Sequence, residues 1–196
     1  MFSGISVRAT EKTIFAEIEK GIFSDIDANL KIYYKGYKYS KEVLNPECRR
    51  CNGGYEILLP NNSKADEYKS VFELAHECIH LIAPVDIENV NYFEEGLATK
   101  FQLDFIKRYR QKDENGKTYY DRAVQKLKEE KKYSEALRII EEIESLAGRT
   151  IYDICKELFQ EGLIPSFDQI TPTILHMITG IEEDAQVLKD ATSRFY

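Results

Sequence analysis

The sequence predicts an α+β fold, in which a small antiparallel or mixed sheet packs on two helices and a mostly helical C-terminal half follows. Between residues 29 and 60, short segments alternate aromatic or aliphatic residues with polar ones, which is typical of strands. After residue 61, apolar residues recur mainly at helical spacing. The 196 residues, 43% of them hydrophobic, suffice for one domain or for a domain with an appended subdomain.

The first predicted element is a helix over Thr10–Phe23, where apolar residues lie at helical spacing. Strands are expected within Asn29–Leu44, with a bend or bulge at Gly36, because glycine tolerates unusual backbone angles. A further short strand over Tyr55–Leu59 stops at Pro60. A proline at that end favours an edge strand over a central one.

Two helices are predicted next. Asn61–Ser63 is expected to open the first, which is apolar over much of its surface and is therefore expected to be deeply buried, and Pro84 ends it. The second helix is expected to begin at Tyr92 or Phe93 and to end near Arg110.

A polar stretch at Asp113–Lys117 is the best internal boundary. The predicted organisation is therefore a core with the sheet and the first helices over residues 1–112, and a helical subdomain over residues 113–196. Helices in this second part are predicted over residues 119–130, 134–147, 150–161, 172–179 and 182–191.

The formal net charge of −7 argues against broad binding to nucleic acids or anionic membranes, both of which require a basic surface. No apolar run approaches the length of a membrane-spanning helix, and residues 1–8 lack the pattern of a signal peptide. The expected compartment is therefore the cytoplasm, with no nucleic acid and no membrane as partner. The sequence leaves the oligomeric state open.

His76, Glu77 and His80 form an HExxH segment. On a helix, residues four apart lie on one face, so His76 and His80 can point their imidazoles at one ion. Glu77 points about 100° away around the axis, so it can contact water held by the ion without being a ligand. The chain has only three histidines and two of them lie in this segment, which makes a chance match improbable.

A catalytic zinc site usually has three protein ligands and one open position, and Glu94 and Glu95 are candidates for the third ligand. Here the sequence resembles the gluzincin metallopeptidases, the relatives of thermolysin and the aminopeptidases. In that group a second helix after HExxH presents a glutamate, often within a Glu-Gly-x-Ala stretch. Glu95-Gly96-Leu97-Ala98 matches that stretch, so the resemblance, which covers roughly residues 55–110, implies Glu95 as the ligand.

The resemblance implies a zincin two-helix active-site core and a zinc-dependent metallopeptidase that hydrolyses peptide or protein substrates. Glu77 would be the general base on the zinc-bound water. The Tyr55–Leu59 strand would pair with extended substrate. Thr99 departs from the family pattern, since thermolysin-like members carry at that position an acidic residue that orients a ligand histidine.

Gly96 also predicts a close packing contact of the second helix. Inside a helix, glycine costs about 1 kcal/mol relative to alanine. Its place beside the expected ligand Glu95 predicts that the backbone of this second helix packs closely against the motif helix.

The oxyanion formed during peptide hydrolysis needs a second donor besides the metal. Related enzymes use a downstream tyrosine or histidine, and His176 is the only histidine outside the motif. It is therefore a candidate catalytic residue, although its apolar neighbours favour an ordinary half-buried histidine. Tyr119, Tyr120 and Tyr152 are the alternatives, and with 13 tyrosines the sequence does not choose among them.

Cys48 and Cys51 form a Cys-x-x-Cys pair. No second pair completes a structural zinc site, and a glycine-rich turn follows where a redox dithiol would begin a helix. The pair is expected at a hairpin tip, as free thiols or as a labile disulfide.

Two other functions are compatible with the sequence. A binding or regulatory protein would retain the zincin fold and the zinc without catalysis, and its helical C-terminal half would recognise a partner. A purely structural helical protein with a chance HExxH segment would need no metal at all.

Overall fold

A computed structural model describes residues 7–21, 33–82, 87–110, 114–160, 163 and 166–196. Within these residues the chain forms an α+β fold with a three-stranded mixed sheet and eight α-helices. The predicted fold class and the mostly helical C-terminal half are confirmed. None of the helices in these ranges is long and apolar enough to cross a membrane.

Helix α1 (Val7–Gly21) precedes the sheet, whose strands are β1 (Tyr34–Ser40), β2 (Glu47–Cys51) and β3 (Gly54–Pro60). The remaining helices are α2 (Glu67–His80), α3 (Tyr92–Arg110), α4 (Glu114–Glu129), α5 (Lys131–Ala147), α6 (Ile151–Gln160), α7 (Pro172–Thr179) and α8 (Gln186–Thr192). Short 3-10 turns lie at Asn61–Ala65, Ile87–Asn89 and Phe167–Gln169. The predicted bounds of α3 match the structure, and the helix expected from residue 119 begins one turn earlier.

The strand order is β1-β3-β2, with β1 parallel and β2 antiparallel to β3. The prediction that Tyr55–Leu59 forms an edge strand is therefore wrong, because β3 is the central strand. Pro60 is its last residue and lies opposite Ser40. A proline at the end of a strand removes only its own N–H, so the ladder before it stays intact.

Gly36 produces the irregularity that the sequence predicted within the first strand. Its φ of 100° lies in the left-handed region, which glycine adopts without strain. The register of β1 against β3 shifts between Tyr34 and Tyr37 at this point. Residues 30–32 of the expected first strand lie outside the described residues.

Helix α2 carries the HExxH segment and is deeply buried, as its apolar composition predicted. Asp66 caps it, because the side chain of Asp66 accepts from the backbone N–H of Lys69 at 3.0 Å. Ser63, expected at the helix start, lies in the preceding 3-10 turn. The helix ends at His80, and Pro84 lies outside the described residues.

Helices α2, α3 and α5 pack in succession, α2 on α3 and α3 on α5. One hydrophobic cluster includes Ile79 of α2, Phe101 of α3 and Ile140 of α5, together with Ile57 of the sheet. This core therefore contains residues from both sides of the boundary predicted near residue 113. The division into residues 1–112 and 113–196 stays a prediction.

Gly96 allows the close contact between α3 and α5. A Cβ atom at this position would lie 2.4 Å from Ala136 O and 2.4 Å from Ile140 Cγ1, well inside van der Waals contact. The sequence correctly indicated a close approach at Gly96, but the partner is α5 and not the motif helix α2. Helix α3 is therefore held by α5 at Gly96 as well as by the motif helix α2.

We expect Gly96→Ala to destabilise the protein by about 1–3 kcal/mol, because overpacking against the Ala136 carbonyl outweighs the gain in helix propensity. Urea unfolding measures the effect. The double variant Gly96→Ala/Ile140→Ala is the control. It removes the clash with the Ile140 side chain but leaves the clash with the Ala136 carbonyl, so it should recover little of the lost stability. A Gly96→Ala variant at least as stable as the wild type would contradict the close contact.

Candidate metal centre

Three side chains on α2 and α3 form a group that could hold a metal ion: His76, His80 and Glu95. His80 Nε2 lies 3.2 Å from His76 Nε2, and His76 Nε2 lies 3.3 Å from Glu95 Oε2. Glu95 Oε1 lies 3.6 Å from His80 Nε2. The three residues are those that the sequence predicted as zinc ligands, and of the two candidate glutamates Glu95 joins the histidines.

The spacing of these donor atoms fits a tetrahedral ion. Ligand atoms about 2.1 Å from a tetrahedral zinc are separated from one another by about 3.4 Å. The two imidazole nitrogens are 3.2 Å apart, and His76 Nε2 lies 3.3 Å from Glu95 Oε2. The contact of His80 Nε2 with the carboxylate, at 3.6 Å, is to the other oxygen, Oε1. Glu95 Oε2 is buried and has no hydrogen-bond partner in the described part of the chain. A cation between the donors would satisfy this carboxylate oxygen.

The loop before α3 places Glu95 beside the histidines. Asn91 caps α3, since its Oδ1 accepts from the backbone N–H of Glu94 at 2.9 Å. The amide of Asn91 donates in turn to the carbonyl of Phe167 at 2.7 Å. Asn91 is buried, so the start of the ligand helix is fixed to the preceding loop and to the distant Phe167 turn.

Glu94 orients one of the two histidines. Its Oε1 lies 2.8 Å from His80 Nδ1, which leaves Nε2 of His80 facing His76 and Glu95. Carboxylates that hydrogen-bond a ligand histidine in this way fix its tautomer and ring orientation. The family position for such an acid is Thr99, which is buried and whose hydroxyl has no hydrogen-bond partner among the described residues. A carboxylate on His80 therefore lies one residue before Glu95 and not four after it.

Glu77 lies beside the triad without belonging to it. Its side chain is 5% exposed, and burial, the largest effect, raises the pKa of its carboxyl. The nearby histidines lower this pKa, as does a hydrogen bond from the backbone N–H of Cys48. Helix α2 packs against β2 on this side, so the Glu77 carboxyl lies near both the histidines and the strand.

The carboxylates give the group a strongly negative potential. Burial alone lowers the pKa of His80, but the charge of Glu95 and the hydrogen bond and charge of Glu94 outweigh it and raise the pKa to about 10. Burial raises the pKa of Glu95, yet His80 and His76 hold it below its usual range. Such a set of groups attracts a cation.

Strand β2 presents a free edge next to Glu77. In the antiparallel hairpin, Cys51 lies opposite Gly54 across a two-residue turn and forms a hydrogen-bonded pair. Hydrogen-bonded and non-hydrogen-bonded pairs alternate from there, so the N–H groups of Arg50 and Cys48 point to the outer edge. No other described strand pairs with that edge. The bond from Cys48 to Glu77 agrees with this direction.

The residues predicted to stabilise an oxyanion lie in other contacts. His176 Nδ1 is 2.7 Å from the carbonyl oxygen of Ile181, near the end of α7. Tyr152 donates to Asp104 at 2.8 Å, and Tyr119 stacks on Tyr68 with 6.0 Å between ring centroids. His176 lies outside the group that could hold a metal, and its catalytic role stays a prediction.

Two other tyrosines, Tyr133 and Tyr196, lie at the triad and were missed by the sequence analysis. Tyr196 donates to Glu95 Oε1 at 3.2 Å, and the ring of Tyr133 packs against His76 with 6.1 Å between centroids. Neither residue has a characteristic spacing from the HExxH segment, so only the tertiary structure brings them to it.

Cys48 and Cys51 are free thiols on β2. Residues three apart on a strand point to opposite faces, so the two thiols do not face one another as a metal knuckle or a disulfide would require. Burial raises the pKa of the Cys48 thiol well above its usual range, which makes it a poor nucleophile at neutral pH.

Comparison with protein-family models, curated proteins and solved structures finds no match for this chain. The geometry of the His76, His80 and Glu95 group is therefore the basis on which its function is inferred.

We expect Glu94→Gln to weaken zinc binding by about 10- to 100-fold, because it removes the charge that orients and activates His80. Titration of the metal-free protein with zinc against a chromophoric chelator measures the effect. Glu88→Gln is the matched control, since Glu88 is exposed before α3. Equal affinities of the Glu94 and Glu88 variants would contradict the orienting role.

Proposed function

We propose that this protein is a zinc-dependent metallopeptidase of the gluzincin type. The observation that carries the proposal is the set of donor atoms on His76, His80 and Glu95, at tetrahedral spacing and beside the non-ligand carboxylate of Glu77. In this proposal α2 and α3 form the two-helix core of a zincin. Helix α2 supplies both histidines and the base, and α3 supplies the third ligand.

The donor set favours zinc. Two imidazoles and one carboxylate are a ligand set of catalytic zinc sites, which keep a fourth position open. Ions such as Mg²⁺ and Ca²⁺ prefer oxygen ligands throughout. Bound zinc would supply Lewis acidity, which polarises a substrate carbonyl and makes water acidic near neutral pH.

Glu77 is the proposed general base. Its carboxyl is buried and close enough to His76, His80 and Glu95 for their charges to shift its pKa. It would take a proton from the attacking water and pass it to the nitrogen of the leaving amine. This transfer needs a carboxylate that is not itself a ligand, and Glu77 lies outside the triad.

The outer edge of β2 is the proposed binding strand for an extended peptide. The sequence-based expectation assigned this role to Tyr55–Leu59, but that strand is central. Strand β2 has a free edge, and its Cys48 N–H reaches Glu77. A peptide that adds to this edge by backbone hydrogen bonds would run past the general base. The proposed substrates are therefore unfolded or extended segments.

We expect the purified protein to bind one zinc ion and Glu77→Gln to keep it, while peptide turnover falls by about 10²- to 10⁴-fold because the base is lost. Elemental analysis and cleavage of a peptide library measure the two effects. Glu67→Gln, at the other end of α2, is the control and should keep its turnover. A wild-type protein that holds zinc but cleaves no peptide, with or without Glu77, would favour a binding or regulatory protein.

We expect Arg50→Pro to lower kcat/KM by about tenfold, the effect of one lost hydrogen bond. Proline removes the N–H on the free edge without touching the ladder to β3. Arg50→Ala is the matched control, because it removes the side chain and keeps the N–H. If the proline variant cleaves peptides as efficiently as the alanine variant, the substrate does not pair with β2 at this residue.

A further inference from the structure

Glu95 has a hydrogen-bond donor from a distant part of the chain. Tyr196 Oη donates to Glu95 Oε1 at 3.2 Å. Tyr133 packs beside it, with its ring 5.1 Å from that of Phe195. The ring of Tyr133 also packs on His76. The tyrosine pair thus contacts two of the three expected ligands.

The backbone before Tyr196 is fixed to the loop that begins the ligand helix. An antiparallel bridge joins Asn91 to Arg194. The N–H of Phe195 donates to the carbonyl of Val90 at 2.9 Å. Since Asn91 also caps α3, one short stretch of backbone sets the positions of both Glu95 and Tyr196.

Side-chain contacts then fix the direction of the Tyr196 ring. Phe195 is 2% exposed, and its ring lies 4.9 Å from that of Tyr196 in an edge-to-face arrangement. Lys132 donates to the carbonyl of Phe195 at 2.8 Å and its Nζ lies 5.8 Å from the centroid of the Tyr196 ring. The hydroxyl is therefore held towards Glu95, although the ring is half exposed.

The two carboxylate oxygens of Glu95 differ as a result. Oε1 accepts from Tyr196 and lies 3.6 Å from His80 Nε2. The buried Oε2 has no hydrogen-bond partner among the described residues and lies 3.3 Å from His76 Nε2. A carboxylate can bind a metal through one oxygen or through both. The hydrogen bond reduces the availability of Oε1 and leaves Oε2 as the better ligand.

We propose that Tyr196 is a positioning residue that fixes Glu95 as a one-oxygen metal ligand. This inference rests on the proposed function, because it requires a metal in the triad. Keeping Oε1 away from the metal preserves four-coordinate geometry and one open position for substrate. Tyr196 acts through Glu95 and is not itself a catalytic residue.

The test uses Tyr196→Phe, which keeps the ring and its packing and removes the hydroxyl. We expect the zinc dissociation constant to rise by about 10- to 100-fold, as is usual when a partner of a ligand is lost. We also expect weaker visible absorption by the Co²⁺-substituted protein, because Co²⁺ absorbs less when a second carboxylate oxygen raises its coordination number.

Tyr92→Phe is the matched control, because Tyr92 packs on Phe195 and is not a partner of the triad. It should keep both the zinc affinity and the Co²⁺ spectrum. If Tyr196→Phe leaves the affinity within about threefold of the wild type and the spectrum unchanged, the inference is overturned while the metal site stands. If the wild-type protein binds neither Zn²⁺ nor Co²⁺, the proposed function fails and this inference fails with it.

Discussion

Three buried carboxylates in one small volume are the constraint on which the rest of this structure depends. Glu77, Glu94 and Glu95 are 5%, 0% and 1% exposed, and an unpaired buried charge costs several kcal/mol. His80 and His76 offset part of this cost through their contacts with Glu94 and Glu95. A divalent cation in the triad would offset more of it.

The scaffold holds these groups from several sides. Helices α2 and α3 bring the imidazoles and carboxylates together, and Gly96 lets α5 support α3 from behind. Strand β2 packs against α2 on the side of Glu77, while Asn91 fixes the start of α3. Because the fold itself sets these side-chain positions, they do not have to rearrange when another molecule binds.

The sequence predicts local features well and non-local ones poorly. The two helices and the approach of Glu95 to His76 and His80 followed from the HExxH spacing and the resemblance around Glu95, because one helical period and one family motif predict them. The central position of β3 depends on a parallel pairing with β1, and Pro60 gave a misleading local signal. The partner of Gly96 and the approach of Tyr196 depend on packing between segments far apart in the chain, which no spacing encodes.

The bond between Tyr196 and Glu95 joins residues 101 positions apart, and this separation has a consequence for folding. Closing a loop of this length costs entropy, so the contact depends on the packing of the helices between the two residues. A metal bound at His76, His80 and Glu95 would stabilise the native state by mass action. Metal loading would thus report on the folding of the chain from α2 to Tyr196, not of the motif helix alone.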